Sequence, residues 1–207
     1  EISAVEDEPA QKVMQELRRI YYPDPWGRPS QGSEAGVEAA TLKDVQKFVQ
    51  QMYRPNGAIL GVAGRFDWDA LCKTVEKCFG SWKASTDTPL VEKPSGERIK
   101  HIEHESKQTQ IGIAYPSVPY RDEHYFQAWG AVGVLSGGMS SRLFTEVREK
   151  RGLCYSVYAT LSSLKDAGFV LCYAGTTNER AAETLHVLLG ELRRLEGGIG
   201  DDELRRC

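Results

Sequence analysis

The chain has 207 residues, a formal net charge of −3 and a pI near 5.9. Its charged residues are dispersed rather than blocked, which argues against a nucleic-acid-binding role, and no apolar run approaches the roughly 20 residues that cross a bilayer. We therefore expect a soluble protein without a membrane segment, long enough to fold as one compact domain or as two smaller ones.

The five cysteines form an odd-numbered set without a C-x-x-C pair, which argues against a disulfide framework and against a cysteine zinc knuckle. Most of them are expected to be buried thiols. A reducing compartment fits such thiols, so the cytoplasm is favoured as the location. The residues are Cys72, Cys78, Cys154, Cys172 and Cys207.

The first part of the chain carries helix signals with recognisable ends. Apolar residues recur at helical spacing from Val13 to Ile20, and Pro23 ends that run. The sequence Thr41-Leu42-Lys43-Asp44 resembles a capping box and begins a second helix, which ends at Arg54-Pro55. A third helix is predicted from Asp67, with Gly80 as its C-terminal cap.

A short apolar run lies between the last two of these helices. It comprises residues 58–64, with the sequence Ala-Ile-Leu-Gly-Val-Ala-Gly. A run of this length that contains glycines and no charge is typical of a buried strand. We therefore expect a strand at this place.

A change of composition divides the chain near its middle. Residues 85–98 hold Thr, Pro, Ser, Gly and mixed charges with little apolar content, which is typical of a linker. We predict that this linker joins two parts, residues 1–84 and residues 99–207.

The second part is predicted to combine strands with long helices. The leucine-rich face of its last helix is expected to be core rather than a partner-binding face. Since both parts mix the two element types, we predict an α+β fold with mixed, largely antiparallel sheets and helices packed on one face. The predicted strands are 110–115, 155–162 and 167–173, and the predicted helices are 122–136, 140–150 and 179–195.

Arg148 and Tyr155 lie seven residues apart across a Gly-Leu break. Arg148 falls on the last turn of one predicted helix and Tyr155 at the start of the next strand, so two hydrogen-bond donors can converge on one point. Together they can hold a peptide carbonyl, and more strongly once it carries negative charge. The alternative is structural, since an Arg at a helix end complements the helix dipole and a Tyr starting a strand is ordinary.

The residues around this pair, and four shorter segments upstream, follow a known pattern. They resemble the pitrilysin, insulinase and mitochondrial processing peptidase family of zinc metallopeptidases. The resemblance covers nearly the whole chain and implies a processing-peptidase-like fold, with the end of a first family domain in 1–84 and the start of a second in 99–207. The matching segments are 22–29 together with 32–34, 53–56, 61–64, 79–82 and the string from Gly137 through Arg148 to Tyr155.

The resemblance also implies roles for three residues. In this family an Arg and a Tyr at this spacing bind substrate opposite a zinc site on the other domain, so Arg148 and Tyr155 are implied as the substrate-holding pair. A third family zinc ligand is a Glu well downstream of the zinc motif, and Glu1 fits that place. The alternative for Glu1 is a solvated chain end.

The family's zinc motif, His-x-x-Glu-His, is absent from the sequence. The nearest string, His101-Ile102-Glu103-His104-Glu105, has the wrong order, and strand-like alternation sends its two histidines to opposite faces. The resemblance implies zinc in the full-length protein. Because the motif is absent from this chain, we do not expect the chain to bind zinc alone.

Three functions are compatible with these residues. The resemblance implies a zinc-dependent endopeptidase that cleaves peptide or unfolded polypeptide substrates, with this chain inactive alone. The alternative is a non-catalytic partner or structural subunit of the same family, in a homodimer or paired with another family subunit. The least specific is a peptide-binding module that uses exposed strand edges.

Overall fold

The computed structural model describes residues 2–86, 90–94, 96 and 98–206. The α-helices within them are Ile2–Glu6 (α1), Pro9–Tyr21 (α2), Glu34–Ala39 (α3), Leu42–Met52 (α4), Trp68–Phe79 (α5), Tyr125–Ser136 (α6), Ala181–Arg194 (α7) and Asp201–Arg205 (α8). The strands are Gln108–Ser117 (β1), Cys154–Ser163 (β2) and Gly168–Thr177 (β3). A π-helix spans Phe144–Glu149, and 3₁₀ turns span Asn178–Arg180 and Leu195–Gly197. No helix in this described part is long and apolar enough to cross a membrane.

The three strands form one antiparallel sheet in the order β1-β3-β2. Cys172 of the central strand pairs with Ile113 of β1 and with Ala159 of β2. All three strands predicted for the second part are thus confirmed, each with a few additional residues. The central position of β3 explains why it is the most buried strand of the three.

Alternate residues of β3 face two separate cores, as the two-residue period of a strand requires. Cys172 belongs to a core cluster with Leu143, which precedes the π-helix, and with Leu188 of α7. Leu171 belongs to a second cluster with Met14 of α2. The predicted α+β fold with an antiparallel sheet is confirmed. Helices of the second part cover one face of the sheet, and α2 from the first part packs on the other.

Two compact units make up the described chain. One contains residues 1–31 and 92–207 as far as they are described, and the other contains residues 32–91. Within the predicted linker, residues 87–89, 95 and 97 lie outside the described part. The division of a longer protein at 85–98 stays a prediction.

The end of the predicted linker is fixed to the N-terminal segment of its own unit. Asp24 N donates to Lys93 O at 2.9 Å, and Lys93 N donates to Asp24 O at 3.0 Å, which makes an isolated antiparallel bridge. Trp26 Nε1 donates to Glu92 Oε1 at 2.6 Å beside it. Residues 92 and 93 therefore have ordered partners, unlike a free linker.

The helices of the 32–91 unit begin where their capping residues predict. Thr41 N donates to Asp44 Oδ2 at 2.9 Å and Asp44 N donates to Thr41 Oγ1 at 3.3 Å, which is a complete capping box before α4. Ala70 N donates to Asp67 Oδ1 at 2.8 Å before α5. Both predicted helices, and the position of Gly80 directly after α5, are confirmed.

The predicted buried strand at 58–64 is wrong. The segment has no strand pairing among the described residues, and Ile59 is 95% exposed. A strand needs a neighbour that accepts and donates its backbone hydrogen bonds, and the apolar pattern alone does not provide one.

Candidate functional site

Arg148 lies on a π-helix rather than on the α-helix predicted over 140–150. Lys150 N donates to Thr145 O, five residues earlier, at 2.9 Å, which is the wide π-type spacing. Such turns are rare and recur at functional sites. Leu143 and Val147 anchor the segment, since each is 0% exposed, while the side chain of Arg148 is 39% exposed. The core thus holds the helix and leaves its guanidinium accessible.

Gly152 turns the chain from the π-helix into β2. Its φ of 58° lies in the left-handed region that favours glycine. Gly152 N donates to Arg148 O at 2.9 Å and Leu153 N donates to Val147 O at 3.0 Å, so the reversal is closed by backbone bonds. The start of β2 is thereby brought back beside the end of the helix.

Tyr155 is the extra residue of a β-bulge. Cys154 pairs with Thr176 and Ser156 with Gly175, the next residue on β3, so Tyr155 stands between two pairs without an opposite residue of its own. Bulges redirect side chains and are common near active sites. Tyr155 is 86% exposed although Cys154 beside it is only 8% exposed. The bulge therefore presents the phenol to solvent from a fixed strand.

The structure brings Arg148 and Tyr155 together. Arg148 Cζ lies 5.5 Å from the centroid of the Tyr155 ring and 4.7 Å from that of Phe144. Both distances fall within the range of cation–π attraction, about 6 Å. The two aromatic rings thus orient the guanidinium and leave its N–H donors unoccupied by other described residues.

The side-chain polar atoms of the pair make no hydrogen bond within the described part of the chain. Glu149 Oε1 lies 3.9 Å from Arg148 Nε, an ion-pair contact that is too long for a hydrogen bond. The Tyr155 hydroxyl makes no hydrogen bond to a described residue. The guanidinium and the phenol are therefore both available to a ligand at one surface.

Cys154, next to the pair, is not a nucleophile at neutral pH. Burial raises the pKa of its thiol, and the charge of Arg148 opposes that rise only in part. A buried thiol with a raised pKa remains protonated and unreactive. The accessible polar groups at this surface are therefore the guanidinium and the phenol rather than the thiol.

Glu146 braces the end of the π-helix. Its carboxylate accepts from Lys150 Nζ at 2.7 Å and from Arg151 Nη1 at 2.8 Å. The bonds from Lys150 and then Arg151 lower the pKa of Glu146. Arg151 Nη1 also donates to the Glu146 carbonyl at 2.7 Å. Glu146 and Arg151, which lie on either side of Arg148 in the sequence, are thus joined.

Arg142 connects the start of this segment to α8. Its side chain is 7% exposed, and it donates from Nε to Glu203 Oε1 at 2.7 Å and from Nη2 to Glu203 Oε2 at 2.8 Å. Nη2 also donates to Gly198 O at 2.9 Å. Hydrogen bonding from Arg142, then from the Gly200 N–H, lowers the pKa of Glu203 to about 2.

Phe144, Arg142 and Glu203 were not singled out by the sequence analysis. Phe144 lies four residues before Arg148, a spacing at which helical side chains meet, so its contact had a local signal. The contact between Arg142 and Glu203 joins residues 61 apart and has no such signal.

No metal site is found in the described part of the chain. No group of three or more His, Cys, Asp or Glu side chains there could hold a metal ion. His101 and His104 lie in an irregular, exposed segment. Glu1 lies outside the described residues. The described residues therefore do not fit zinc by themselves.

Comparison with known proteins gives a consistent family. Residues 39–207 match the family model described as the peptidase M16 inactive domain. An uncharacterised zinc protease of Streptomyces coelicolor is 33% identical over 222 aligned positions, which cover 100% of this chain and 48% of that protein. The chain spans about half the length of the curated relatives it matches.

Solved structures share the fold. A peptidase M16 inactive domain from Pseudomonas fluorescens superposes with a TM-score of 0.85 at 23% identity, covering 99% of this chain and 51% of that one. A chain of the complex III2 structure from Candida albicans gives 0.80 at 22% identity, covering 99% and 52%. At these identities the likeness concerns the fold alone.

Proposed function

The chain belongs to the peptidase M16 inactive-domain family, and on that premise we propose that the full-length protein is a zinc-dependent endopeptidase acting on extended polypeptides. In this proposal the chain supplies Arg148 and Tyr155, which hold the carbonyl of the bond to be cleaved, and it does not cleave peptides alone. The observation that carries the proposal is the meeting of an accessible guanidinium and an exposed phenol at one bulge.

The two donors suit a carbonyl whose charge grows during hydrolysis. As water adds, the carbonyl oxygen becomes an oxyanion, and hydrogen bonds from a cationic guanidinium and a phenol strengthen with that charge. The two rings and the buried anchors of the π-helix hold Arg148 in place beforehand, so little reorganisation is needed at the moment of reaction. Zinc bound elsewhere in the full-length protein would supply an activated water.

The remaining assignments concern the longer protein. Residues 1–84 are proposed as the later part of a first family domain and residues 99–207 as the earlier part of a second, with 85–98 between them. Glu1 is proposed as the zinc ligand contributed by this chain. The assignment of Glu1 requires a His-x-x-Glu-His motif upstream of it in the full-length sequence.

Single substitutions in the full-length protein test the role of the pair. Arg148→Ala and Tyr155→Phe should each lower kcat by about 10²- to 10³-fold, because each removes one oxyanion donor. Tyr158→Phe is the matched control on the same strand, since Tyr158 packs its ring 5.1 Å from Tyr173 and lies three residues beyond the bulge. Peptide cleavage is followed with a fluorogenic substrate. Wild-type kcat in both site variants would refute the assignment.

A non-catalytic subunit is the second candidate. Many apolar side chains of the 32–91 unit are exposed, and the chain resembles one from a multi-subunit complex in fold. Light scattering of the full-length protein, with zinc analysis of the same sample, separates the two functions. An oligomer with zinc stoichiometry near zero and no peptide cleavage would favour the subunit. The exposed apolar residues include Leu42, Val45, Phe48, Val49 and Met52 on α4.

A further inference from the structure

A recess of about 200 Å³ opens directly beside Tyr155. Its walls are the start of β2, the end of β3, the first residue of β1 and the residue before α7. The volume is below the roughly 300 to 1,000 Å³ of pockets that enclose whole small ligands, so it suits one side chain or a chain end. The residues that matter to its chemistry are Gln108, Gly152, Tyr155, Ser156, Thr177 and Arg180.

Arg180 gives the recess its charge. None of the other described residues that line it carries a formal charge at neutral pH, so the recess has a positive centre and no acid. Arg180 Nη1 donates to the Gly152 carbonyl. Its Nε and Nη2 make no hydrogen bond to a described residue, and no carboxylate within the described part pairs with it. The guanidinium is therefore held at one nitrogen and free at the others.

Gly175 keeps one wall of the recess clear, and Gly152 positions the guanidinium. A Cβ on Gly175 would lie 2.7 Å from Tyr173 Oη and 3.0 Å from Gln110 Oε1, so a side chain there would crowd the wall. The left-handed Gly152 directs its carbonyl to Arg180, and a Cβ on it would lie 4.0 Å from Arg180 Nη1. The backbone thus fixes the guanidinium at the rim next to Tyr155.

We propose that this recess binds a carboxylate of the peptide whose carbonyl Arg148 and Tyr155 hold. The carboxylate belongs either to an Asp or Glu side chain near the cleaved bond or to the C-terminus of the peptide. A free pair of guanidinium donors recognises a carboxylate with charge-assisted hydrogen bonds. The described lining contains no acidic side chain that would compete with the ligand for Arg180. The inference rests on the proposed function, since it names the substrate class of the same surface.

Peptide binding to the full-length protein tests the inference without depending on cleavage. Zinc is removed with a chelator, and labelled peptides of one neutral sequence are titrated by fluorescence anisotropy. One series carries Glu or Gln at each position in turn, and another carries a free or an amidated C-terminus. Wild-type protein should bind one acidic peptide about 10-fold more tightly than its neutral counterpart.

Three variants identify the source of that preference. Arg180→Gln should abolish it and leave the neutral peptide unaffected, whereas Arg180→Lys should keep most of it and guards against misfolding after loss of the bond to Gly152. Arg193→Gln, an equal charge change on the exposed end of α7, should leave it intact. The side-chain series and the terminus series show which carboxylate the recess takes.

The two proposals fail in different ways. The recess is refuted if wild type shows no acidic preference in either series, or if the preference survives in Arg180→Gln. Arg180-dependent binding without any cleavage by the zinc-loaded protein would refute the peptidase and leave the recess standing. Equal cleavage and binding of acidic and neutral peptides would refute the recess and leave the peptidase standing.

Discussion

Replacing Glu203 with Gln tests how firmly α8 holds the segment that leads into the π-helix. Two charge-assisted bonds of 2.7 and 2.8 Å join Glu203 to Arg142, whose side chain is only 7% exposed. Hydrogen bonds to charged groups contribute about 1.5 to 3 kcal/mol each, and the 25% exposure of Glu203 screens part of that. Because Gln keeps one acceptor, we expect a loss of about 2 kcal/mol at pH 7.

The same substitution has a pH signature. The pKa of Glu203 is lowered from 4.5 to about 2 in the folded chain, so the carboxylate stabilises the fold above pH 4.5 and loses that effect as pH falls toward 2. Glutamine does not titrate. The difference in unfolding free energy between wild type and variant should therefore shrink as pH falls across that window.

Hydrogen exchange followed by mass spectrometry measures the effect locally in the full-length protein. Peptides that cover 142–149 should lose about 30-fold in protection at pH 7, which corresponds to about 2 kcal/mol. Urea unfolding at pH 7 and pH 3 gives the pH arm. Asp202→Asn is the control, because Asp202 is 86% exposed and 4.0 Å from its partner Arg205. Equal protection in both variants would refute the reasoning.

Two further substitutions test the scaffold by urea unfolding. Gly152→Ala should lower the free energy of unfolding by about 1 to 2 kcal/mol, because the φ of 58° is strained for a residue with a Cβ. Gly152→Asn should lower it by less, since Asn tolerates this region better. An Ala variant as stable as wild type would contradict the left-handed turn. Leu188→Ala should lower the free energy of unfolding by about 2 to 5 kcal/mol, since Leu188 is 0% exposed in the core under β3. Leu204→Ala is the control, because Leu204 is 60% exposed and its loss should change stability by less than about 0.5 kcal/mol. Similar losses in both variants would contradict the packing.

The elements that the sequence predicted well are those with local causes. The helix after Thr41 begins with a capping box that four consecutive residues specify, and β3 is a continuous apolar run as expected for a central strand. The run at 58–64 has the same composition but no strand partner among the described residues, and partners are not a local property.

The site itself was predictable only in outline. The family resemblance of the string around Arg148 and Tyr155 singled out the pair, and the structure brings their side chains together. The bulge that exposes Tyr155 depends on the register of β2 against β3, which single-sequence periodicity does not fix. Arg180 reaches the recess only through the fold, since it lies 25 residues after Tyr155.

Because Tyr155 is the extra residue of a bulge, the pairing of the sheet does not depend on the residue that carries the phenol. Cys154 and Ser156 pair with consecutive residues of β3, so loss of the one codon for Tyr155 would leave a regular ladder with every other pair unchanged. Deletion of this single residue would therefore remove the exposed hydroxyl and keep the sheet. In this chain the sheet and the exposed phenol are therefore separable features, because the ladder does not depend on the residue that carries the phenol.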